Sequence, residues 1–276
     1  HFRKGKPLVI HNPNPALSTA ENILLMLRPD NKYTELEAKI LDLALVLHAE
    51  HGGGNNSAFA TRVLSSSGTD TYAALAAGIG SLKGPRHGGA NIKVVEMLEH
   101  MKKDVKDITN EGQVADFLKN VINKKAGDGS GLVYGMGHAV YTLSDPREKI
   151  LKAEAESFAE KAGFGDEFKA LSLIEELTPE IFAKEKGQNK KICANIDLYS
   201  GLIYQMLRIP EDLYTPLFAI ARVAGWSAHR IEELIAGNRV IRPAYKSVAV
   251  PTSYIPLEKR ENNVGASSVY VPLDER

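Results

Sequence analysis

Two histidines in this chain sit in turns built largely from glycine. One is His87, in Gly84-Pro85-Arg86-His87-Gly88-Gly89-Ala90-Asn91, and the other is His138, in Gly135-Met136-Gly137-His138-Ala139-Val140. Glycine on both sides lets backbone and imidazole approach a ligand closely, and an imidazole can move protons or donate a hydrogen bond near neutral pH. Asp197 heads an apolar helical stretch in Asn195-Ile196-Asp197-Leu198; a carboxylate there either caps the helix and pairs with its dipole or serves as an acid or base. Arg222 lies within Ala221-Arg222-Val223-Ala224. It must reach water or meet an anion, because a buried, unpaired guanidinium is expensive. Arg147 follows Asp145-Pro146, and Arg242 stands in Ile241-Arg242-Pro243. Three guanidinium groups could hold a polycarboxylate through bidentate contacts if the fold brings them together.

Other chemistries fit less well. His48 and His51 are three residues apart on one helix, but the zinc-protease signature needs two histidines four apart with a glutamate between them. Packing and capping are the better reading for the pair, and no metal site is expected. Gly127-Asp128-Gly129-Ser130-Gly131 follows Lys124-Lys125-Ala126 rather than a strand. It therefore lacks the context of a dinucleotide-binding turn and reads as a flexible connection.

The elements that must position these residues are helices. Leu36, Ile40, Leu43 and Leu47 recur at helical spacing over residues 33–51, and Gly52-Gly53-Gly54 ends the run. Residues 56–65 and 69–82 read as two more helices. The second is rich in Ala and Gly, which suits close internal packing better than a subunit contact. Asp145 and Pro146 are a cap and a first-turn proline for a helix that runs to Gly163. Residues 166–177, 194–207 and 214–236 are helical by pattern; only 240–250 and 268–272 read as extended. The expectation is an all-α protein.

Composition bounds the partners. The 276 residues carry 34 Lys+Arg against 34 Asp+Glu, and 43% are hydrophobic, an ordinary globular balance with no global attraction to nucleic acid or anionic lipid. No apolar run reaches the roughly 18 residues of a membrane span, and residues 1–6 lack the apolar core of a signal peptide. The single cysteine, Cys193, cannot form an internal disulfide, and it suits a reducing, cytoplasmic setting. Neither nucleic acid nor membrane is an expected partner.

In order along the chain, these pieces resemble the citrate synthase family. The matching blocks are His48-Ala49-Glu50-His51 with Asn55-Asn56-Ser57, Leu82 to Asn91, Gly137-His138-Ala139-Val140 with Asp145-Pro146-Arg147, Asn195-Ile196-Asp197, Ala221 to Trp226, and Asn238 to Pro243. The resemblance implies a large and a smaller helical domain, residues 1–86 with 200–276 and residues 87–199, with the active site in the cleft between them. It implies condensation of acetyl-CoA with oxaloacetate, with no tightly bound cofactor or metal. By similarity, Asp197 is the base, His87 hydrogen-bonds the thioester oxygen and His138 polarises the ketone. His51, Arg147 and Arg222 hold the carboxylates, and Arg242 reaches in from the second subunit of a homodimer. Leu132, Val133 and Tyr134 match the adenine recess for CoA, and Lys190 meets a CoA phosphate.

The sequence also departs from the family pattern. Gly52 follows His51 where Glu is usual, Tyr134 replaces a proline, and Cys193-Ala194 stands where a proline usually precedes Asn195. Tyr141-Thr142 ahead of Asp145-Pro146-Arg147 also looks like 2-methylcitrate synthases, which use propanoyl-CoA. Family members carry a longer helical region ahead of the His51 block. With His at position 1, the chain reads as the C-terminal portion of a longer one, and the alternative of a different class is a non-catalytic, truncated helical assembly subunit.

Overall fold

Residues 5–85, 87–138, 140–187, 191–237, 239–244 and 253–259 are described by a computed structural model. Among the described residues ten α-helices follow one another: α1 Thr19–Leu27, α2 Glu35–His48, α3 Asn56–Ser66, α4 Thr71–Leu82, α5 Ala90–Asp104, α6 Glu111–Ile122, α7 Pro146–Ala162, α8 Gly165–Lys186, α9 Asp197–Met206 and α10 Tyr214–Ala236. Among the described residues there is no strand, only an isolated antiparallel bridge between Met136 and Ala194. The fold is all-α. Lys190 and residues 245–252 and 260–276 lie outside the described residues, and with them most of the two stretches expected to be extended. Residues 1–241 form one unit and 242–276 another.

Local chemistry sets the helix ends. Ser18 with Glu21 and Thr34 with Glu37 form reciprocal capping boxes at the starts of α1 and α2, satisfying amide hydrogens that the helix leaves free. Asp70 and Asn110 cap α4 and α6. Asp145 caps α7, with Pro146 in the first turn and Gly163 left-handed at the end (φ +80°), as its sequence predicts.

Three helices go beyond the sequence-based assignment: α1, α5 and α6. In α6 the pattern was present, since Val114, Phe117, Leu118, Val121 and Ile122 are all buried at three- and four-residue spacing. Helix α8 runs past the expected stop near residue 177, straight through Pro179. The backbone bond that a proline forfeits is outweighed here by the buried Ile181 and the partly buried Phe182 beyond it, which pack on the core. Helix α9 starts at Asp197 rather than 194, because Ala194 pairs with Met136 instead. On α2 the buried stripe is Glu37, Ala38, Ile40, Leu41, Ala44, Leu45 and His48. Of the four residues read at helical spacing, Ile40 is buried, and Leu36, Leu43 and Leu47 are half-buried.

The main core joins buried residues of α1, α2 and α5–α10, while Ala58, Leu82 and Trp226 form a second cluster between α3, α4 and α10. The small residues of α4 serve that second contact. Ala74 is fully buried, and a Cβ at Gly78 would stand 2.7 Å from Thr61 Oγ1 and 3.0 Å from Trp226 Cδ2. Two arginines tie distant segments together. Arg28 makes a two-pronged bond to Glu37 (2.6 and 2.9 Å) and donates to Leu207 O (3.0 Å). Arg230 on α10 donates to Ser65 Oγ, Thr69 O and Thr71 Oγ1, holding the α3–α4 corner.

Candidate active site

A cavity of about 620 Å³ is lined by His51, His87, His138, Arg147, Asp197 and Arg222, together with Asn55, Asn195 and Phe218. These residues come from six places in the chain: the α2–α3 connection, the α4–α5 turn, the 135–147 segment with the start of α7, the segment leading into α9, the first residue of α9, and α10. Five residues singled out by residue type, His87, His138, Arg147, Asp197 and Arg222, therefore line one cavity together with His51, which the resemblance alone had singled out.

Glycine explains how the two histidine turns are seated, though the close approach is to neighbouring helices. A Cβ at Gly135 (φ +81°) would lie within 2.9 Å of Leu198 Cα, so the turn that carries His138 can lie flat on α9 only with glycine there. Gly137 N donates to Cys193 O (2.7 Å), Asn195 N to Gly135 O (2.9 Å) and Asn195 Nδ2 to Gly137 O (2.8 Å). At the other turn a Cβ on Gly88 would collide with Leu82 O, and Thr215 at the head of α10 donates to Gly88 O (3.0 Å).

The imidazoles are held in defined states. The backbone N–H groups of Val140 and Tyr141 donate to His138 Nδ1 (2.9 and 3.1 Å). That nitrogen is therefore an acceptor, and the hydrogen of the neutral ring sits on Nε2. His138 Nε2 lies 3.1 Å from His51 Nε2. His51 is pushed down to about 4 by burial, then by the positive Arg147. Burial also lowers His138, with Arg147 next in importance, and burial followed by Arg222 lowers His87. All three shifts favour neutral rings. His87 Nε2 is 2.9 Å from Ser57 Oγ, which also accepts from Trp226 Nε1 (3.1 Å) and donates to Asn55 Oδ1 (2.8 Å).

Around the rings stand the charged groups. Asp197 is raised to about 6, chiefly because burial disfavours its carboxylate; Arg147 and Arg222 pull the other way. Its place at a helix start would ordinarily lower it, so desolvation wins here. Arg147 binds the fully buried Asp145 through Nε (3.0 Å) and Nη2 (2.8 Å) and lies over the Tyr141 ring at 5.5 Å. Asp145 also accepts from Ile196 N (3.2 Å), so the same carboxylate aligns α7 with the segment before Asp197. Arg222 is 1% exposed, donates Nε–H to His48 O (2.7 Å) and stacks over Phe218 at 4.8 Å. Among the described residues its Nη1 has no protein partner. Burial lowers its pKa to about 10, which still leaves it a cation. A buried guanidinium with an unused N–H at a cavity wall fits an anionic ligand.

The remaining expected residues lie elsewhere. His48 faces the core rather than the cavity: its Nδ1 donates to Ala44 O (2.7 Å) and burial lowers it to about 4. It does not converge with His51 on a common ligand. Leu132 and Tyr134 line a narrow separate cleft with Lys93, Glu96, Met97, His100, Val121, Gly127 and Asp128, while Val133 is buried in the core. The glycine run 127–131 has a definite shape. Asp128 accepts from Ser130 N (3.0 Å) and from Tyr134 Oη (2.6 Å). Burial works to raise the Asp128 carboxyl, but these hydrogen bonds outweigh it and hold it at about 2. Arg242 falls in the second unit, and Lys190 lies outside the described residues. Sequence reasoning gave no role to Ser57, Asn195 or Phe218. The first two stood inside quoted blocks, and Phe218 lies one helical turn before Arg222.

The family model "Citrate synthase, C-terminal domain" matches residues 1–244. The chain is 40% identical to a citrate synthase of Synechocystis over 249 residues, covering 90% of this chain and 58% of that one. It is also 40% identical to a citrate synthase of Haloferax volcanii, covering 88% and 58%. A 2-methylcitrate synthase of Shewanella oneidensis is 36% identical, covering 82% and 54%. The chain thus spans less than two thirds of the length of these curated relatives. Among solved structures, citrate synthase from Thermotoga maritima superposes with a TM-score of 0.73 at 34% identity, covering 94% of this chain and 65% of that one. The citrate synthase of Thermoplasma acidophilum, in complex with carboxymethyl coenzyme A and oxaloacetate, gives 0.71 at 30%, covering 90% and 61%. Citryl-CoA lyase from Hydrogenobacter thermophilus gives 0.65 at 27%, covering 88% of this chain and 89% of that one.

Proposed function

The chain belongs to the citrate synthase family, and from that premise we propose that it condenses acetyl-CoA with oxaloacetate and water to give citrate and CoA. The observation that carries the reading is the single cavity that joins Asp197, His87 and His138 to two arginines and His51.

In this reading the Asp197 carboxylate removes a proton from the thioester methyl group. A carboxylate raised to about 6 is a better base for a carbon acid than one at ~4, yet it is still ionised at neutral pH. The developing enolate oxygen takes a hydrogen bond from His87, an electrostatic contribution fixed before reaction. Ser57 has one hydroxyl proton; when it turns from Asn55 Oδ1 to His87 Nε2, the ring's own hydrogen stays on Nδ1 for that bond. His138 turns its Nε2–H toward the ketone of oxaloacetate, and the enol carbon attacks the carbonyl carbon. The alkoxide so formed takes up a proton to give citryl-CoA. Water then cleaves the thioester, releasing CoA and citrate and making the overall reaction irreversible.

Oxaloacetate's two carboxylates are held by Arg147, Arg222 and His51, with Arg242 supplied by the partner subunit of a homodimer. Support for an obligate dimer comes from the outer faces of α3, α4 and α10, which leave Phe59, Ile79, Ile220, Ile231 and Ile235 at least 44% exposed. CoA lies along Leu132, Val133 and Tyr134 with Lys190 on a phosphate. The domains are residues 1–86 with 200–276 and residues 87–199. The cavity draws His51 and Arg222 from the first and His87, His138, Arg147 and Asp197 from the second, as a cleft closed over its substrates would. The protein is cytoplasmic in this reading. Among the described residues, no helix is long and apolar enough to cross a membrane.

A second reading, cleavage of citryl-CoA to acetyl-CoA and oxaloacetate, draws on the lyase likeness, in which both chains are covered almost equally. The same base and donors run the carbon–carbon step in either direction. A thiol-release assay decides: CoA appears from acetyl-CoA plus oxaloacetate if the protein is a synthase. No CoA, together with acetyl-CoA formed from citryl-CoA, would replace the first reading by the second. Running acetyl-CoA and propanoyl-CoA side by side ranks kcat/KM for the 2-methylcitrate variant.

A further inference from the structure

One carboxylate beside the cavity has no part in the chemistry above. Glu50 stands in the α2–α3 connection, immediately before His51. Its Oε1 accepts from the backbone N–H of His51 (2.8 Å), from the N–H of Gly52, and from Nε2 of His229 on α10 (3.0 Å). Burial works to raise the Glu50 carboxyl, but the His229 bond and the two amides outweigh it and leave it below its ordinary value.

The rest of the segment is fastened to the same helix. Arg222 Nε donates to His48 O (2.7 Å) and Gly225 N donates to Ala49 O (3.1 Å). A side chain at Gly225 would collide with Glu50 Oε2 and Ala49 O, so α10 lies directly against the connection. The chain then turns through Gly52 in a left-handed conformation (φ +84°). His51 leaves this anchored stretch with its ring in the cavity, 3.1 Å from His138.

We propose that Glu50, held by His229, is a positioning residue for His51: it fixes the His51–Gly52 backbone and thereby the place of the imidazole at the carboxylate-binding end of the cavity. The ion pair itself cannot be the main contribution, since the Glu50 side chain is 42% exposed and exposed pairs contribute little. What the carboxylate supplies is a fixed acceptor for two consecutive amide hydrogens that no helix satisfies. Its negative charge also favours the charged form of the neighbouring Arg222. The role in catalysis rests on the reading of His51 and Arg222 as oxaloacetate ligands, whereas the positioning of His51 does not.

Two measurements separate these levels. Side-chain nitrogen NMR on the substrate-free protein should show the His51 signals displaced in Glu50→Ala while those of His87 stay in place. Glu50→Gln, which keeps an acceptor oxygen, should leave His51 near its wild-type position. In kinetics, Glu50→Ala should raise KM for oxaloacetate about 10- to 100-fold with kcat and the acyl-CoA KM within about threefold. Glu50→Gln should recover most of that loss. His229→Ala should act in the same direction, and the double variant should be no worse than Glu50→Ala alone. An unmoved His51 signal in Glu50→Ala overturns the proposal, as does an equal loss in both KM values and kcat. Should Glu50→Ala not fold, His229→Ala read by the same NMR signals decides. If the wild type neither binds nor turns over oxaloacetate, the functional reading fails and the NMR comparison still judges the positioning.

Discussion

Replacing Asp197 by Asn should disable the protein and stabilise it at once. The carboxyl is shifted from 3.8 to about 6, with burial as the first cause. Two pH units correspond to ~3 kcal/mol of preference for the neutral acid. In its proposed role as base, Asp197 works only when ionised, so activity should be lost as pH falls through about 6. Roughly nine-tenths of the groups are active at pH 7 and about one-tenth at pH 5. In log kcat/KM against pH, an acid limb of unit slope should bend near 6. For stability the sign is opposite. Between 3.8 and about 6 the folded protein binds more protons than the unfolded chain, so stability falls as pH rises through that window and stays lower above it. Asn keeps the shape without the charge. Asp197→Asn should therefore lower kcat by about 10²–10⁴-fold and gain on the order of 1–3 kcal/mol at pH 8, with little gain at pH 3.5. Urea denaturation at the two pH values and the pH–rate profile check both halves. An acid limb near 4, or an Asn variant less stable than wild type at pH 8, refutes a desolvated carboxylate. Turnover within tenfold of wild type refutes its role as the base.

Other perturbations probe separate parts of the site and fold. Arg222→Lys keeps a positive charge but lacks the planar fork whose separate Nε and Nη donors serve His48 O and a ligand carboxylate; calorimetric affinity for oxaloacetate should fall about 10- to 100-fold. Ser57→Ala removes the hydroxyl against His87 Nε2, and kcat should fall roughly tenfold or more with a smaller change in KM for oxaloacetate. Glu148 is 2% exposed, one oxygen lacks a partner among the described residues, and burial, then Glu175, raises it to about 7. A raised acid loses its stabilising contribution as pH climbs from 4.5 through about 7, so Glu148→Gln should gain on the order of 1–3 kcal/mol at pH 8 and little at pH 4. Gly78→Val would press on Thr61 and Trp226, and thermal denaturation should show a loss of roughly 1–3 kcal/mol.

How far the sequence carries depends on the range of the physics involved. Helix ends are written locally: Asp145-Pro146 and Gly163 bound α7 because a cap, a missing N–H and a left-handed turn act within a few residues. Residue type also nominated the chemistry, since few side chains can serve as base, neutral hydrogen-bond donor or carboxylate clamp. Five of those nominees, His87, His138, Arg147, Asp197 and Arg222, line one cavity with His51, which only the family resemblance singled out. Where local signals compete with packing, the reading fell short. The helix assigned to 166–177 continues through Pro179 because the buried Ile181 beyond it packs on the core, and Ala194, assigned to α9, bridges to Met136 instead.

Tertiary structure alone decided the states of the side chains. That His138 carries its hydrogen on Nε2 follows from the amides of Val140 and Tyr141. That His48 serves the core while His51, three residues on, serves the cavity follows from the end of α2 between them. That Asp197 sits near 6 rather than below 4 follows from its enclosure, against the pull of a helix start. Spacing along the chain limits which residues can act, but burial and the approach of distant segments set the protonation, orientation and unused hydrogen bonds that determine how they act.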